Sequence, residues 1–312
     1  MLDLRYVLTH LDEVATRLAA RGDVPDLRRL AELGAQRREL IACFEGLRAT
    51  QNAAQDQLKA LGRNPEARQE LQAELRSLSQ QAKDAEAQRR AVEEQLEGLL
   101  LVLPNLPDPE VPRGRSAEDN VELRRWGEPT VRSWSRPHWE IGEALGILDF
   151  EGGARVAAAR FTFLRGTAAR LERALWSFML DLHVREHGYV ELIPPYMVNR
   201  AAMIGTGQLP KFEEEAFKVN MGDLFLVPTA EVPVTNLHRE TILSGELLPL
   251  SYVAFSPCFR REAGSYGQDT RGLIRQHQFH KVELVKFVRP EDSGVAHEQL
   301  THHAEVVLQR LG

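Results

Sequence analysis

Two heptad repeats dominate the first hundred residues and limit the folds that this part of the chain can adopt. Seven of the nine positions in the first seam are apolar; the seam occupies positions 33, 37, 40, 44, 47, 51, 54, 58 and 61. The second seam has only one polar member, Arg89, and occupies positions 71, 75, 78, 82, 85, 89, 92, 96, 99 and 103. A helix stop and turn, Gly62-Arg63-Asn64-Pro65, separates the two seams. Each seam must bury its stripe on the other, so the sequence predicts an antiparallel coiled-coil hairpin about 50 Å long.

The role of this hairpin is left open by its charge. Residues 27–103 contain twelve basic and twelve acidic side chains, a net charge of zero. A dimerisation or spacer coiled coil is one interpretation. The other is an arm that binds a polyanion through one face or through its tip. No third layer is predicted for it to pack on, so we expect the hairpin to project from the rest of the chain.

The rest of the chain reads as a separate globular part. A stretch rich in proline and charge, residues 104–120, predicts a linker. Beyond it, a helix-periodic segment begins at Phe161, and VELIPPYMVN follows as a short strand stopped by Pro194 and Pro195. Three more strand-like segments come next, DLFLVPTAEVPVTNL, LPLSYVAFSPCFRREAG and LIRQHQFHKVELVKFV, and then a capped amphipathic helix. Strands joined by hairpin-like connections, with helices beside them, predict an α+β fold built on an antiparallel sheet. The phosphate-binding fingerprints of parallel sheets, GxGxxG and GxxxxGK[ST], do not occur.

Several classes of protein are disfavoured by composition. The two cysteines, Cys43 and Cys258, are far apart, which argues against a disulfide framework or a cysteine-rich zinc site and favours a reducing cytoplasm. No apolar run is long enough to predict a membrane span or a signal peptide. His297 and His302 miss the HExxH spacing because Thr301 stands where the second histidine is needed, so no metal site is predicted.

The stretch FRREAGSYGQDTRGLIRQHQFHKVEL, residues 259–284, is unusually charged for two core strands. Positions 258–289 hold seven basic and three acidic residues, although the whole chain has a net charge of −6. Strand alternation places two sets of side chains on a common face: Cys258, Arg260 and Glu262, and Phe279, Lys281 and Glu283. A guanidinium fork suits phosphate oxygens, and an aromatic ring suits a stacked base. A salt-bridged edge hairpin is the alternative interpretation.

A second polar signal is PTAEVP, residues 228–233, set among apolar residues. In one interpretation, Thr229 starts a turn and Glu231 faces water. In the other, Glu231 receives the ammonium group of a ligand and Thr229 gives it a hydrogen bond.

Together these segments resemble the seryl-tRNA synthetases, a family of class II aminoacyl-tRNA synthetases. The charged stretch is similar to the second class II signature, PTAEVPVTNLHRE to the serine-site segment of the family, and GTGQLPKFEEEAF to a loop characteristic of it. The helix from Phe161 up to Pro195 resembles the first signature, which builds the dimer interface, and the hairpin is typical of bacterial members. The resemblance implies a tRNA-binding arm at 1–103, a linker at 104–120 and part of a class II catalytic domain, with its antiparallel sheet flanked by helices, at 121–312.

The resemblance also implies roles for individual residues. Arg260 would be catalytic by holding the ATP α-phosphate; the implied ATP-binding residues are Arg260, Arg261, Glu262 and Phe279, with the ring of Phe279 on adenine. The implied serine-binding residues are Thr229, Ala230, Glu231 and Glu283, and Pro195 would lie at the dimer interface. The connection from Ala263 to Arg275 would approach the tRNA acceptor end. Mg²⁺ is expected with ATP, and zinc is not expected.

The implied activity is ligation of serine to tRNA(Ser), with tRNA(Sec) as a second candidate, by a cytoplasmic homodimer. Arg261 stands where many relatives have Ser, and His280 where many have Asp; both alternate away from the expected cleft. In the family the chain continues past the position of Gly312 with further strands and the third signature, so an incomplete site and impaired activity are expected of these 312 residues. The alternative is a catalytically inactive fragment or paralogue that binds tRNA or protein. Ligases that load carrier proteins are a third hypothesis, but they lack the arm.

Overall fold

The computed structural model describes residues 1–22, 27–61, 65–114, 116–130, 132–263 and 271–312. The chain divides into two compact units, Met1–Gly127 and Glu128–Gly312. The predicted linker, residues 104–120, falls at the end of the first unit, and its regular structure there is one 3-10 turn at Ala117–Asp119.

The first unit is a long helical hairpin. Its elements are α1 (Leu4–Thr9), α2 (Leu11–Ala19), α3 (Leu27–Ala60) and α4 (Pro65–Val102). Every position of the two predicted seams is buried or half-buried in α3, in α4 or just beyond their ends. The predicted antiparallel hairpin is therefore confirmed, while the predicted turn at residues 62–64 lies outside the described residues. Pro65 begins α4, where the lack of an amide hydrogen costs nothing.

The base of the hairpin is covered by α1 and α2, so the expectation that nothing packs on the hairpin is wrong at this end. Val7, Val14 and Leu18 project from the two short helices and are almost fully buried. They join one apolar cluster with residues of both long helices, including Leu30 and Leu96. The heptad pattern could not show this, because α1 and α2 are each too short to carry a repeat.

Truncation of a leucine should cost more at the base of the hairpin than near its tip. Leu96 is 2% exposed within the base cluster, whereas Leu58 is only partly buried in a smaller cluster near the tip. We expect Leu96→Ala to destabilise the unit by about 2–5 kcal/mol, because the large cluster cannot collapse into the cavity. Leu58→Ala should cost clearly less. Urea unfolding followed by far-UV circular dichroism measures both, and equal losses would contradict this account.

The second unit is α+β. It contains α5 (His138–Ala144), β1 (Leu148–Asp149), α6 (Phe150–Val156), β2 (Phe163–Leu164), α7 (Thr167–Arg185), β3 (Val190–Leu192), β4 (Met197–Asn199), α8 (Arg200–Gly205), β5 (Lys218–Val219), β6 (Leu224–Leu226), α9 (Glu231–Asn236), β7 (Leu250–Phe259), β8 (Gln278–Phe287) and α10 (Ser293–Leu311). The described strands form three sheets, ordered β1-β2, β3-β7-β8 and β4-β6-β5. The predicted α+β fold is confirmed.

The β7–β8 hairpin forms the centre of this unit. Its strands pair antiparallel over ten residues each, with Cys258 opposite Phe279 and Ala254 opposite Glu283. One side of the sheet packs on α7 and α10 through Trp176, Val282, Leu284 and Leu300. The other side carries α9 against Ala254. The hairpin therefore separates a helical layer from the face on which the predicted site residues lie.

Three local predictions are corrected by the structure. The segment after β6 was predicted to be strand, but Glu231–Asn236 is helical; the Thr229 hydroxyl accepts the Glu231 amide hydrogen at 3.1 Å and so starts the turn. The strand β3 ends before the prolines at 194 and 195, as predicted, but a second strand that was not predicted, β4, follows them. One pairing, β3 with β7, is parallel within the otherwise antiparallel sheets.

Candidate functional site

A guanidinium and an aromatic ring meet at the open end of the β7–β8 hairpin. The guanidinium carbon of Arg260 lies 5.1 Å from the centroid of the Phe279 ring. Arg260 also donates from Nε to the Pro228 carbonyl at 3.4 Å, and its backbone amide donates to the His277 carbonyl at 3.0 Å. The two groups therefore lie on one side of the sheet, as the register requires, and both are half-buried.

The alternation of side chains along a strand does not extend to all of the predicted site residues. β7 ends at Phe259, so the assumption that alternation continues through Glu262 is wrong. Glu262 has a φ of +50°, which turns the chain, and its carboxylate pairs with Arg275 at 3.1 Å. Arg261 is exposed and its backbone amide donates to the Glu215 carbonyl at 2.9 Å. Within the described chain, the side chain of Arg261 has no contact with the cleft, and its role in ATP binding stays a prediction.

The second predicted group of residues lies on the same face, further along β8. The Thr229 hydroxyl donates to the Glu283 carboxylate at 2.5 Å, and the Lys281 ammonium lies 2.5 Å from the same oxygen. Thr229 is 3% exposed and Ala230 is fully buried against Ala254. Ala230 therefore packs in the core, whereas the polar groups around Glu283 line the cleft.

Glu231, the first residue of α9, is exposed overall, but its carboxyl group is partly desolvated and lies near Lys281 and Glu283. Burial, and next the negative charge of Glu283, raise the pKa of the Glu231 carboxyl, while the positive charge of Lys281 lowers it. The negative charge of Glu283 thus disfavours a second negative charge on Glu231, and the same negative potential favours an incoming cation. Such a site suits a ligand ammonium group.

Neutralising Glu231 should stabilise the chain in the absence of ligand. A carboxyl whose pKa is raised in the folded state loses stability as the pH rises from about 4, the ordinary range for glutamate, through the raised value. We therefore expect Glu231→Gln to raise the Tm at neutral pH, on the order of 1 °C because the group is partly screened by solvent. The gain should shrink as the pH falls. Thermal melts against pH test this, with the exposed Glu214→Gln as control; a gain that grows on acidification would contradict it.

Other predicted residues lie away from this cleft or outside the described part. Pro195 is exposed between β3 and β4. Residues 264–270 of the charged connection lie outside the described residues. His280 points to the helical layer, as predicted, where its Nδ1 lies 2.5 Å from a Glu172 carboxylate oxygen.

Two features of the cleft were not assigned a role from the sequence. Strand alternation predicts that Lys281 shares a face with Phe279 and Glu283, but it does not predict that the Lys281 ammonium pairs with the Glu283 carboxylate. The hydrogen bond from Arg260 to the Pro228 carbonyl could not be predicted, because every residue has a backbone carbonyl and the sequence does not show which one accepts.

Two negative findings apply to the described residues. None of the helices there combines the length and apolarity needed to cross a membrane. In the same ranges, no group of three or more histidine, cysteine or acidic side chains is arranged to hold a metal ion.

Comparisons with known proteins agree with this architecture. The profile described as Seryl-tRNA synthetase N-terminal domain matches residues 1–107, and the profile described as tRNA synthetase class II core domain (G, H, P, S and T) matches residues 211–312. The serine–tRNA ligase of Geobacter sp. (strain M21) is 56% identical over 312 residues, which is all of this chain and 74% of that protein. The serine–tRNA ligase of Geobacillus sp. (strain WCH70) is 56% identical over 314 residues, again with 74% of its length covered.

A solved structure gives the same result in three dimensions. The crystal structure of seryl-tRNA synthetase from Pyrococcus horikoshii complexed with ATP superposes with a TM-score of 0.90 and 34% identity, covering 99% of this chain and 74% of that one. The long hairpin, the class II core and the length of the matches leave one assignment: the chain belongs to the seryl-tRNA synthetase family, the serine–tRNA ligases among the class II aminoacyl-tRNA synthetases.

Proposed function

We propose that this chain activates serine with ATP to form seryl-adenylate and transfers the serine to tRNA(Ser), with tRNA(Sec) as a second candidate substrate. The observation that carries the proposal is the position of the Arg260–Phe279 pair on the same face of one hairpin as Thr229 and Glu283. These two groups of side chains lie on one face and can therefore hold two small ligands side by side. Two relatives that are 56% identical to this chain are named serine–tRNA ligases, which supports the proposal.

The nucleotide half of the site is proposed to be the open end of the hairpin. The Arg260 guanidinium would bind the α-phosphate and Phe279 would stack on adenine, supported by the 5.1 Å separation of the two groups. Glu262 would act here through Arg275, with which it pairs, and Arg261 would supply positive charge from the exposed side. The Pyrococcus horikoshii structure, complexed with ATP, supports ATP as the nucleotide.

The serine half is proposed to be the polar cluster at Glu283. Glu231 would receive the ammonium group, since the negative charge of the nearby Glu283 favours a cation there. Thr229 and the backbone at Ala230 would frame the ligand, and Glu283 would accept the serine hydroxyl. Alanine would leave this half-buried carboxylate without the serine hydroxyl, and losing such a hydrogen bond is how a site built for a hydroxyl rejects the amino acid that lacks it.

The proposed chemistry needs no nucleophilic side chain. A serine carboxylate, with a pKa of about 3.5, is ionised at neutral pH. One of its oxygens attacks the α-phosphorus, the new P–O bond forms and pyrophosphate leaves with the electron pair of the broken bond. Arg260 would stabilise the charge that gathers on the phosphate oxygens. Mg²⁺ would arrive with ATP and supply further charge neutralisation.

The remaining parts of the proposal concern partners. Residues 1–103 are proposed to be the tRNA-binding arm, and residues 121–312 part of the catalytic domain. A homodimer in the cytoplasm is proposed, with Pro195 at the interface; the exposed apolar side chains around it, Val190, Ile193 and Met197, support a contact surface there.

Serine-dependent ATP–pyrophosphate exchange tests this function. The 312 residues alone are proposed to exchange weakly, because the third class II signature is not among them, and a form extended by the C-terminal part of the Geobacter relative should exchange well. Exchange with alanine should be far weaker than with serine. Binding of tRNA(Ser) without exchange in either form would favour an inactive paralogue instead.

A further inference from the structure

The charged connection returns to β8 through a segment held from outside the hairpin. This return segment, residues 271–277, lies between the undescribed residues and the start of β8. The Leu273 amide donates to Nε2 of His138, the first residue of α5, at 2.8 Å. Gly272 has a φ of +76°, and a Cβ placed on it would lie 2.3 Å from the same Nε2 and 2.8 Å from the Trp139 ring. The backbone can approach α5 this closely because residue 272 has no side chain.

A buried glutamine closes the same segment from the other side. Gln276 is 7% exposed, and its amide nitrogen donates to the Gly272 carbonyl at 2.8 Å. Its amide oxygen accepts from the Thr162 hydroxyl at 2.7 Å. Both ends of the amide are therefore used, one to close the turn and one to tie it to the residue before β2.

The next residue of the segment, His277, is hydrogen-bonded to Arg260 in the nucleotide half of the site. The His277 amide donates to the Arg160 carbonyl at 3.0 Å, and Nδ1 of His277 donates to the Arg260 carbonyl at 2.9 Å. Phe279 follows two residues later in β8. The anchored segment thus lies between the connection and the Arg260–Phe279 pair.

We infer that His138, Thr162 and Gln276 form a clasp that positions the return segment, residues 271–277, and that His138 acts mainly on transfer of serine to tRNA rather than on its activation. The inference rests on the proposed function, in which the connection approaches the tRNA acceptor end. In the described part of the return segment, His138 lies against Gly272 and Leu273, beside the exposed Arg271, whereas Gln276 and His277 lie next to the nucleotide half. Loss of the His138 contact leaves the Gln276 contacts in place, so the Arg260–Phe279 pair keeps its support.

The local part of the test uses hydrogen–deuterium exchange in the 312-residue chain. His138→Leu removes the acceptor, so the peptide covering residues 271–277 should exchange faster. His138→Gln keeps a side-chain oxygen that can accept the Leu273 amide and should restore most of the protection. Glu140→Gln, an exposed substitution on the same helix, is the matched control. Unchanged exchange in His138→Leu would overturn the clasp.

The functional part uses single-turnover transfer and pyrophosphate exchange in the extended form. We expect His138→Leu to slow transfer about tenfold while pyrophosphate exchange changes less than about twofold, and His138→Gln to recover most of the rate. Equal losses in both steps, or no recovery in His138→Gln, would overturn the inference. If the unsubstituted enzyme transfers no serine at all, the proposed function fails; if it transfers serine and His138→Leu does so equally well, only the inference fails.

Discussion

Arg260→Ala is expected to lower serine-dependent ATP–pyrophosphate exchange by about a hundredfold to a thousandfold and to leave tRNA binding nearly unchanged. The guanidinium stacks over Phe279 and is oriented by the Pro228 carbonyl, so alanine removes a charge that is already aimed at the nucleotide half. tRNA binding should survive because the proposed arm belongs to a different unit of the chain. Exchange in the extended form and filter binding of tRNA(Ser) measure the two effects.

Two further arginine substitutions sharpen this result. Arg260→Lys keeps the charge but loses the planar fork, so it should recover only a small part of the activity. Arg289→Ala is the matched control, because Arg289 is an exposed arginine just past the other end of β8. Equal losses of exchange and tRNA binding in Arg260→Ala, or a large loss of exchange in Arg289→Ala, would contradict the proposed division of labour.

Shortening the arm should have the opposite effect. Replacing residues 51–76 with a short glycine-rich turn removes the outer part of α3 and α4, and we expect tRNA affinity to fall about tenfold to a hundredfold with exchange unchanged. The hairpin should still fold, because the base cluster around Leu30 and Leu96 lies outside the deletion. Residues 27–103 have no net charge, so contacts of the hairpin with the tRNA must involve a few local cations, and the salt dependence of binding should weaken when they are removed.

A control separates loss of contact from loss of fold. Circular dichroism should show the reduced helix content that the deletion requires and no more. Arg68→Gln and Arg76→Gln, two exposed substitutions inside the deleted range that keep the helices but remove charge, should reproduce part of the loss of affinity. Retention of full affinity by the shortened arm would show that tRNA is bound elsewhere.

The hairpin could be predicted in detail because two long helices repeat the same pattern many times. Its base could not, since α1 has six residues and α2 has nine, too few to show a repeat. Placing Arg260 and Phe279 together needed only the period of two along a strand and an antiparallel register. Glu262 was misplaced by the same rule, because a residue with positive φ ends the alternation.

The helix α9 shows a different limit. Its residues Val232, Pro233, Val234 and Thr235 have low helix propensity, and the sequence alone favoured a strand. Tertiary packing overrides that preference: Val232 and Val234 are almost fully buried, and the Thr229 hydroxyl supplies the first hydrogen bond of the turn. The polar residues of the motif were recognisable, but the backbone that presents them was not.

The bond from Arg260 to the Pro228 carbonyl joins the two halves of the cleft through a single peptide unit. A phosphate that fixes the Arg260 guanidinium would also fix the backbone at Pro228, one residue before Thr229. Binding of either ATP or serine would then lower the entropy cost of binding the other. Thermodynamic linkage makes that benefit mutual and equal in size. Synergy between the two substrates would then arise from a shared acceptor atom, with no movement of domains.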